Sequence, residues 1–297
     1  MGRHILAGAA AVVLIAGVTM LLYPSAAQWV SYYNQSRTTS SYAQQIGYVD
    51  PRPDEQIAAA QRYNDALSSG ALIEANTNVP TSSQPNLSAS IVPYAQQLYV
   101  DGTGLMARIR IPKINVDLPV YHGTSDDVLL RGAGHLEGTS LPVGGVDTRT
   151  VITGHRGLAS SRMFTDLDQL QIGDSFTIET FGLVLSYRVT DIIVVDPDDR
   201  ESISTVAGKD LATLVTCTPL GINSHRIIVT GERIVPTPSA DLKRAGQVAS
   251  VPFPWWMVIW VVCSGTIIVG IMALTRDKKR MSARHRGYVG PRHLRAK

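Results

Sequence analysis

Two uncharged apolar runs, one near each end of the chain, decide how everything between them meets solvent. Ile5–Tyr23 (ILAGAAAVVLIAGVTMLLY) and Trp255–Leu274 (WWMVIWVVCSGTIIVGIMAL) are each close to the ~20 residues a helix needs to cross a bilayer. The first is longer than the usual apolar core of a secretory signal, about 7–15 residues. It is therefore expected to remain as an anchor, although Pro24-Ser25-Ala26-Ala27 offers small residues near a possible cut. The second opens on a Trp pair suited to a membrane interface and runs into a basic tail. From Arg276 to Lys297 nine Lys or Arg face one acid, a net +8; with +3 for the whole chain, the remainder carries −5. Basic residues collect on the cytoplasmic side of a span, so the chain is expected in the cell membrane with both termini cytoplasmic and residues 24–254 outside the cell. Because the positive charge sits in the tail, it does not imply nucleic acid as a partner.

Between the spans the character of the chain changes twice. Asp54, followed by Glu55, Ile57, Ala58, Ala60, Tyr63, Ala66 and Leu67, reads as a helix behind an acidic N-cap and is expected to end at Gly70. Ile73–Ser90 is rich in Asn, Ser, Thr and Pro, the composition of a loop, either a surface linker or a flap. From Met106 onward, short β-branched runs alternate with Gly, Asp and Pro clusters. Ile109, Ile111, Ile114, Val116 and Val120 are interrupted by Pro112 and Pro119, and further runs follow at 151–153, 176–180, 185–195, 214–217 and 226–229. Many short strands with little helix between them predict a mainly β barrel or sandwich. The expected divisions are a start and first span at 1–23, a helical and lid region at 24–103, a β-domain at 104–236, a linker at 237–254, the second span at 255–274 and the tail at 275–297.

The chemistry concentrates in Leu211–Ile228 (LATLVTCTPLGINSHRII). A β-branched run climbs to Cys217, breaks at Pro219 and Gly221, and resumes just after Arg226, so a hairpin would bring thiol and guanidinium to one rim. Val151–Gly157 (VITGHRG) likewise runs a strand into a Gly-flanked His155. Cys, His and Arg at three strand ends suit nucleophilic acyl transfer: a thiolate, a proton carrier and a cation for the developing oxyanion. There are two cysteines, Cys217 and Cys263, and Cys263 lies within the second span, so the two cannot pair across the membrane boundary. An unpaired exported thiol is a liability unless used; the bland alternative is an inert core Cys. His225 is expected on the other face of its strand from Arg226. His122 and His135 stand in Gly-rich stretches read as loops, where they shape a pocket or cap turns. No metal-spaced cluster is present and no cofactor is expected.

Thr213-Leu214-Val215-Thr216-Cys217 followed by Arg226 resembles the TLxTC…R signature of sortases, the cysteine transpeptidases of Gram-positive cell surfaces. The segments IPKINVDLPVYHGTS, GHLEGTSLPVGG, HRGLASSRMFTDLDQL, VVDPDD and TLVTCTPLGINSHR are similar to class C, the pilin-polymerising branch, in order from about Gly104 to Ile234. The resemblance implies a closed eight-stranded sortase-type β-barrel with N-terminal helices and a lid-like loop, flanked by two transmembrane helices. By motif position it gives catalytic roles to Cys217, His155 and Arg226. It implies pilin subunits with LPXTG-like sorting signals and an acceptor Lys as partners, with a cell-wall peptide as the alternative acceptor. A lid would fall near Glu74–Pro80, with Asn76, Asn78 and Pro80 as its candidate residues; this stretch lacks the Asp-Pro-aromatic triad of many class C lids. A papain-like hydrolase is disfavoured because His155 precedes Cys217. A non-enzymatic tethered β-domain is the remaining alternative.

Overall fold

The computed structural model describes residues 2–68, 92–100, 102–248 and 251–286. The candidate lid residues Asn76, Asn78 and Pro80 lie outside the described residues. Two compact units are present, Met1–Trp29 with Pro252–Lys297, and Val30–Val251.

In the first unit, α1 (Gly2–Gln45) begins with the first apolar run and α5 (Trp255–Arg286) with the second. Both are long and apolar enough to cross a membrane, with Val12, Val13, Leu21, Val261 and Leu274 exposed. Within this unit the Trp29 indole donates to Pro252 O at 2.7 Å and the Trp260 indole to Thr19 Oγ1 at 2.9 Å. Trp29 and Trp256 meet edge to face, 6.5 Å between centroids. Indole N–H groups in apolar surroundings need such acceptors. The helix does not stop with the apolar run at Tyr23. It continues through Pro24 to Gln45, since an internal proline removes one backbone donor without ending a helix that neighbours support.

In the second unit the C-terminal part of α1 turns polar and lies on the barrel. The Tyr42 hydroxyl donates to Met106 O at 3.0 Å and accepts from Phe181 N–H at 2.9 Å. The next helix, α2 (Pro53–Ser68), buries Gln56, Ala60, Tyr63 and Asn64, one stripe at i, i+4, i+7 and i+8. It starts one residue before the expected cap at Asp54. Its two buried amides behave like strand partners. Asn64 donates to Leu141 O at 3.1 Å and accepts from Leu141 N at 2.7 Å; Gln56 does the same with Tyr99.

The barrel comprises β1 (Leu105–Ile111), β2 (Val116–His122), β3 (Ala133–His135), β4 (Thr148–Thr153), β5 (Ser175–Thr180), β6 (Leu183–Val195), β7 (Asp210–Thr218) and β8 (His225–Arg233). It closes in the order β1-β2-β3-β4-β7-β8-β6-β5, the fold expected from the resemblance. A short helix, α3 (Asp126–Arg131), joins β2 to β3, and another, α4 (Ser239–Arg244), occupies the stretch read as linker. Two pairings are parallel, β2 with β3 and β4 with β7. The second matters for the site. Parallel neighbours end on the same rim, so the C-terminal ends of β4 and β7 emerge side by side, where β8 begins.

Strand alternation sorts this part of the sheet into two faces. Ile152, Leu214, Ile227 and Val229 point into the core cluster with Phe164, Phe176 and Tyr187. Their neighbours Val151, Val215 and Ile228 share the opposite, outer face with Cys217 and Arg226. Further down that face Arg149 donates to Thr213 Oγ1 at 3.1 Å and to Ser202 O at 2.7 Å. Ser202 belongs to the β6–β7 connection, which therefore reaches the outer face at Arg149; Val151 and Ile228 are buried.

Candidate active site

Cys217 and Arg226 are direct Cα partners in the antiparallel β7–β8 ladder, and opposite residues of such a pair project from the same face. The hairpin expected from the sequence therefore forms and brings Cys217 and Arg226 to one rim. Pro219–Ser224 makes the turn: Ile222 N and Asn223 N both donate to Pro219 O. Arg226 Nη1 donates to Asn223 O at 3.1 Å and His225 O at 3.0 Å, holding the guanidinium at the rim. Cys217 is unpaired and half-buried, as is Cys263 in the other unit.

His155 arrives from β4. Thr153 pairs with Val215 in the parallel β4–β7 ladder, so two residues further along each strand His155 stands level with Cys217. The junction is fastened by Gly154 N donating to Val215 O at 3.1 Å and by the buried Thr216 hydroxyl donating to Gly154 O at 2.7 Å. His155 O accepts from Phe164 N at 3.1 Å. All three candidate residues are thus gathered at one rim, each half-buried, open enough for a substrate and sheltered enough to strengthen charge interactions.

The other histidines serve elsewhere. His225 is exposed, with Nδ1 against Ser224 Oγ at 2.8 Å and Nε2 3.5 Å from Asp196. His122 and His135 are strand residues, not loop residues, and face each other across β2 and β3. The Gly-rich stretch misled here because Gly134 serves close approach: a Cβ there would stand 2.3 Å from Gly123 O. His122 sets Nδ1 2.8 Å from Gly104 O and Nε2 2.7 Å from Gln97 O. His135 is fully buried, with Nε2 against Ser140 O at 2.9 Å and Nδ1 against the Tyr94 hydroxyl at 2.9 Å. Burial pushes His135 down to about 4, against the Ser140 hydrogen bond, which raises it. A neutral ring donates from Nε2 to Ser140 O, while the single Tyr94 hydroxyl proton is shared between His135 Nδ1 and His135 O, 3.1 Å away.

Sequence reasoning passed over Arg156, whose side chain donates to Thr218 Oγ1, Thr165 O and Asp168. Its place directly after His155 was the available signal. Among the described residues no group of three or more His, Cys, Asp and Glu could hold a metal ion.

The chain is similar to known proteins. Residues 109–234 match the family model of the sortase domain. A crystal structure of sortase C1 from Streptococcus agalactiae is 43% identical, with a TM-score of 0.59, and covers 68% of this chain and 100% of its own. A pilus-related sortase C of Group B Streptococcus is 38% identical, with a TM-score of 0.55, covering 66% of this chain and 96% of its own. Sortase A of Bacillus anthracis is 29% identical over 135 residues, 46% of this chain; the match spans 62% of that relative's length. With a barrel of this strand order and sequence identity at this level to class C structures, the chain belongs to the sortase family.

Proposed function

We propose that the chain is a membrane-anchored cysteine transpeptidase that cleaves an LPXTG-like sorting signal between Thr and Gly and transfers the acyl group to a Lys amine of the next pilin subunit. The observation that carries this reading is the pairing of Cys217 with Arg226 on adjacent strands, with His155 at the end of the parallel neighbour. The pilus-related relative supports the choice of a pilin as substrate.

The chemistry follows from three roles. The thiolate of Cys217 attacks the Thr carbonyl carbon. A C–S bond forms, the carbonyl electrons move onto oxygen, and Arg226 with nearby backbone N–H groups stabilises that oxyanion. As the intermediate collapses, the C–N bond to Gly breaks and imidazolium His155 delivers its proton to the leaving amine. The Lys amine of the acceptor then attacks the thioester. Its proton passes to His155, the C–S bond breaks, and an isopeptide bond and the thiolate–imidazolium pair remain. Val215, partly exposed on the outer face below Cys217, gives apolar backing for a signal. Both termini are assigned to the cytoplasmic side and residues 24–254 to the outside, on the strength of the basic tail.

The test uses the full chain in detergent micelles with purified pilin subunits and, separately, a cell-wall peptide. Mass spectrometry of products reads which amine is joined. Cys217→Ala is expected to stay folded and form no product. His155→Ala should form neither thioester nor product. Arg226→Lys, which keeps charge but loses the planar fork, should still form thioester, slowed ~10²–10³-fold as for loss of an oxyanion donor. Product from Cys217→Ala, or acylation at the wild-type rate in His155→Ala, refutes the assignment.

A further inference from the structure

The residue after His155 makes more side-chain bonds than the mechanism above requires. Arg156 has a side chain 9% exposed, and its fork reaches three partners: Nε donates to Thr165 O at 3.0 Å, Nη1 to Thr218 Oγ1 at 2.9 Å and Nη2 to Asp168 Oδ2 at 2.5 Å. Thr165 Oγ1 accepts in turn from Gly157 N at 3.1 Å, and Phe164 N bonds back to His155 O. The loop from His155 to Asp168 is therefore laced around one guanidinium. Through Thr218, the residue after Cys217, that same guanidinium ties the loop to β7.

On the other side of the pair the Thr216 hydroxyl holds Gly154 O at 2.7 Å. The two threonines that flank Cys217 thus bind the two residues that flank His155. This bracket spans 62 residues of sequence in each of its bonds. We propose that Arg156 is a positioning residue that, with Thr218, fixes the separation and orientation of His155 relative to Cys217; this rests on the transpeptidase reading above.

Geometry, more than charge, recommends arginine here. Asp168 is 48% exposed, and an exposed ion pair contributes little. A guanidinium offers donors in a rigid plane, so three bonds in different directions cost it little freedom; an ammonium on a flexible stem cannot reproduce them. A rigid tie at this place matters because proton transfer and thiolate formation both depend on the sulfur–imidazole distance. A misplacement of about 1 Å typically costs ~10²-fold in rate.

The experiment uses the full chain in micelles in a Cys263→Ala background, so that Cys217 is the one thiol. Arg156→Lys, Thr218→Val and Thr218→Ser are compared by iodoacetamide alkylation of Cys217 at neutral pH and by single-turnover acylation with a sorting-signal peptide. For Arg156→Lys and Thr218→Val, alkylation and the maximal acylation rate should both fall about tenfold to a hundredfold while KM stays within about twofold. Thr218→Ser, which keeps the acceptor, should restore wild-type rates. Unchanged alkylation and acylation in Thr218→Val, or a rise confined to KM, overturns the proposal. If Arg156→Lys fails to fold, the Val and Ser variants at Thr218 decide it. Failure of the sortase reading shows separately: wild type would then form no thioester with the peptide, while the alkylation contrast still reports on the bracket.

Discussion

Gly154→Ala is the most informative single methyl that can be added to this protein. The backbone there is not in the left-handed region, so any cost is steric. An ideal Cβ would stand 2.7 Å from Phe164 Cδ2, 2.8 Å from Cγ and 3.2 Å from Cε2, against about 3.5–4.0 Å for comfortable carbon contacts. Phe164 has no exposure and is a flat, rigid ring within the core, so it cannot yield by rotating a flexible end away. Gly154 is equally held, its N–H by Val215 O and its carbonyl by Thr216. Overpacking of a well-filled core costs about 1–3 kcal/mol, and with both partners pinned the upper half of that range is expected. For a unit of this size 1 kcal/mol corresponds to about 2–4 °C in Tm, so a fall of ~4–12 °C should appear in a thermal melt of the full chain in micelles. Because the displaced residue precedes His155, thioester formation should fall further than stability alone explains, by about tenfold or more. Phe164→Ala in the same chain removes all three ring atoms that collide, so the double variant should be more stable than the sum of the two singles by ~0.5–3 kcal/mol. A wild-type melt for Gly154→Ala, or strict additivity with Phe164→Ala, would refute the packing argument.

Two other expectations concern stability. His135 titrates near 4 in the folded chain and near 6.5 when unfolded. The unfolded state therefore takes up the proton first as pH falls; stability from this ring is complete above about 6.5 and declines to about 4, a loss of about 3 kcal/mol. Burial displaces His122 in the same direction. Chemical denaturation at pH 7 and pH 4.5 should show wild type losing more than His135→Gln, and equal losses would count against the assignment. The second expectation rests on Arg108, 1% exposed, which holds Asp117 through two bonds of 2.7 Å, with Arg110 and Glu179 completing the group. Asp117→Ala breaks the close pair and leaves the buried Arg108 only Glu179 at 3.9 Å, and should cost about 3–5 kcal/mol. Glu232→Gln, which breaks the half-exposed pair with Lys209, should cost under about 1 kcal/mol. Equal denaturation midpoints for these two variants would show that burial is not what separates them.

How far the chain could be read from its residues depended on the sequence distance each contact spans. The Cys217–Arg226 hairpin was legible because both strands, the turn at Pro219 and Gly221, and the period of two lie within one short stretch. Alternation also placed His225 away from Arg226, and it is exposed there. His155 was different. Its strand pattern was visible, but nothing periodic says that β4 lies beside β7, in parallel, with more than fifty residues and two other strands between them. Residue type grouped His155 with Cys217 and Arg226, but the adjacency of the two strand ends is seen only in the fold. Gly134 shows how local signals can mislead, because glycine marks a close backbone approach as readily as a loop, and His135 was assigned to a loop on that account. The stretch read as linker holds a one-turn helix, α4, whose Asp241 accepts from the Ser186 hydroxyl of β6, again a contact from distant sequence. Arg156 was the least legible of all. An arginine between a histidine and a glycine looks like a solvated charge, and its meaning depends on a threonine sixty-two residues away that stands beside Cys217. Residues that do the chemistry are recognisable by type. Those that hold it in register are recognisable only by what they touch, which is why the bracket around Cys217 and His155 appears in the fold and not in the motif.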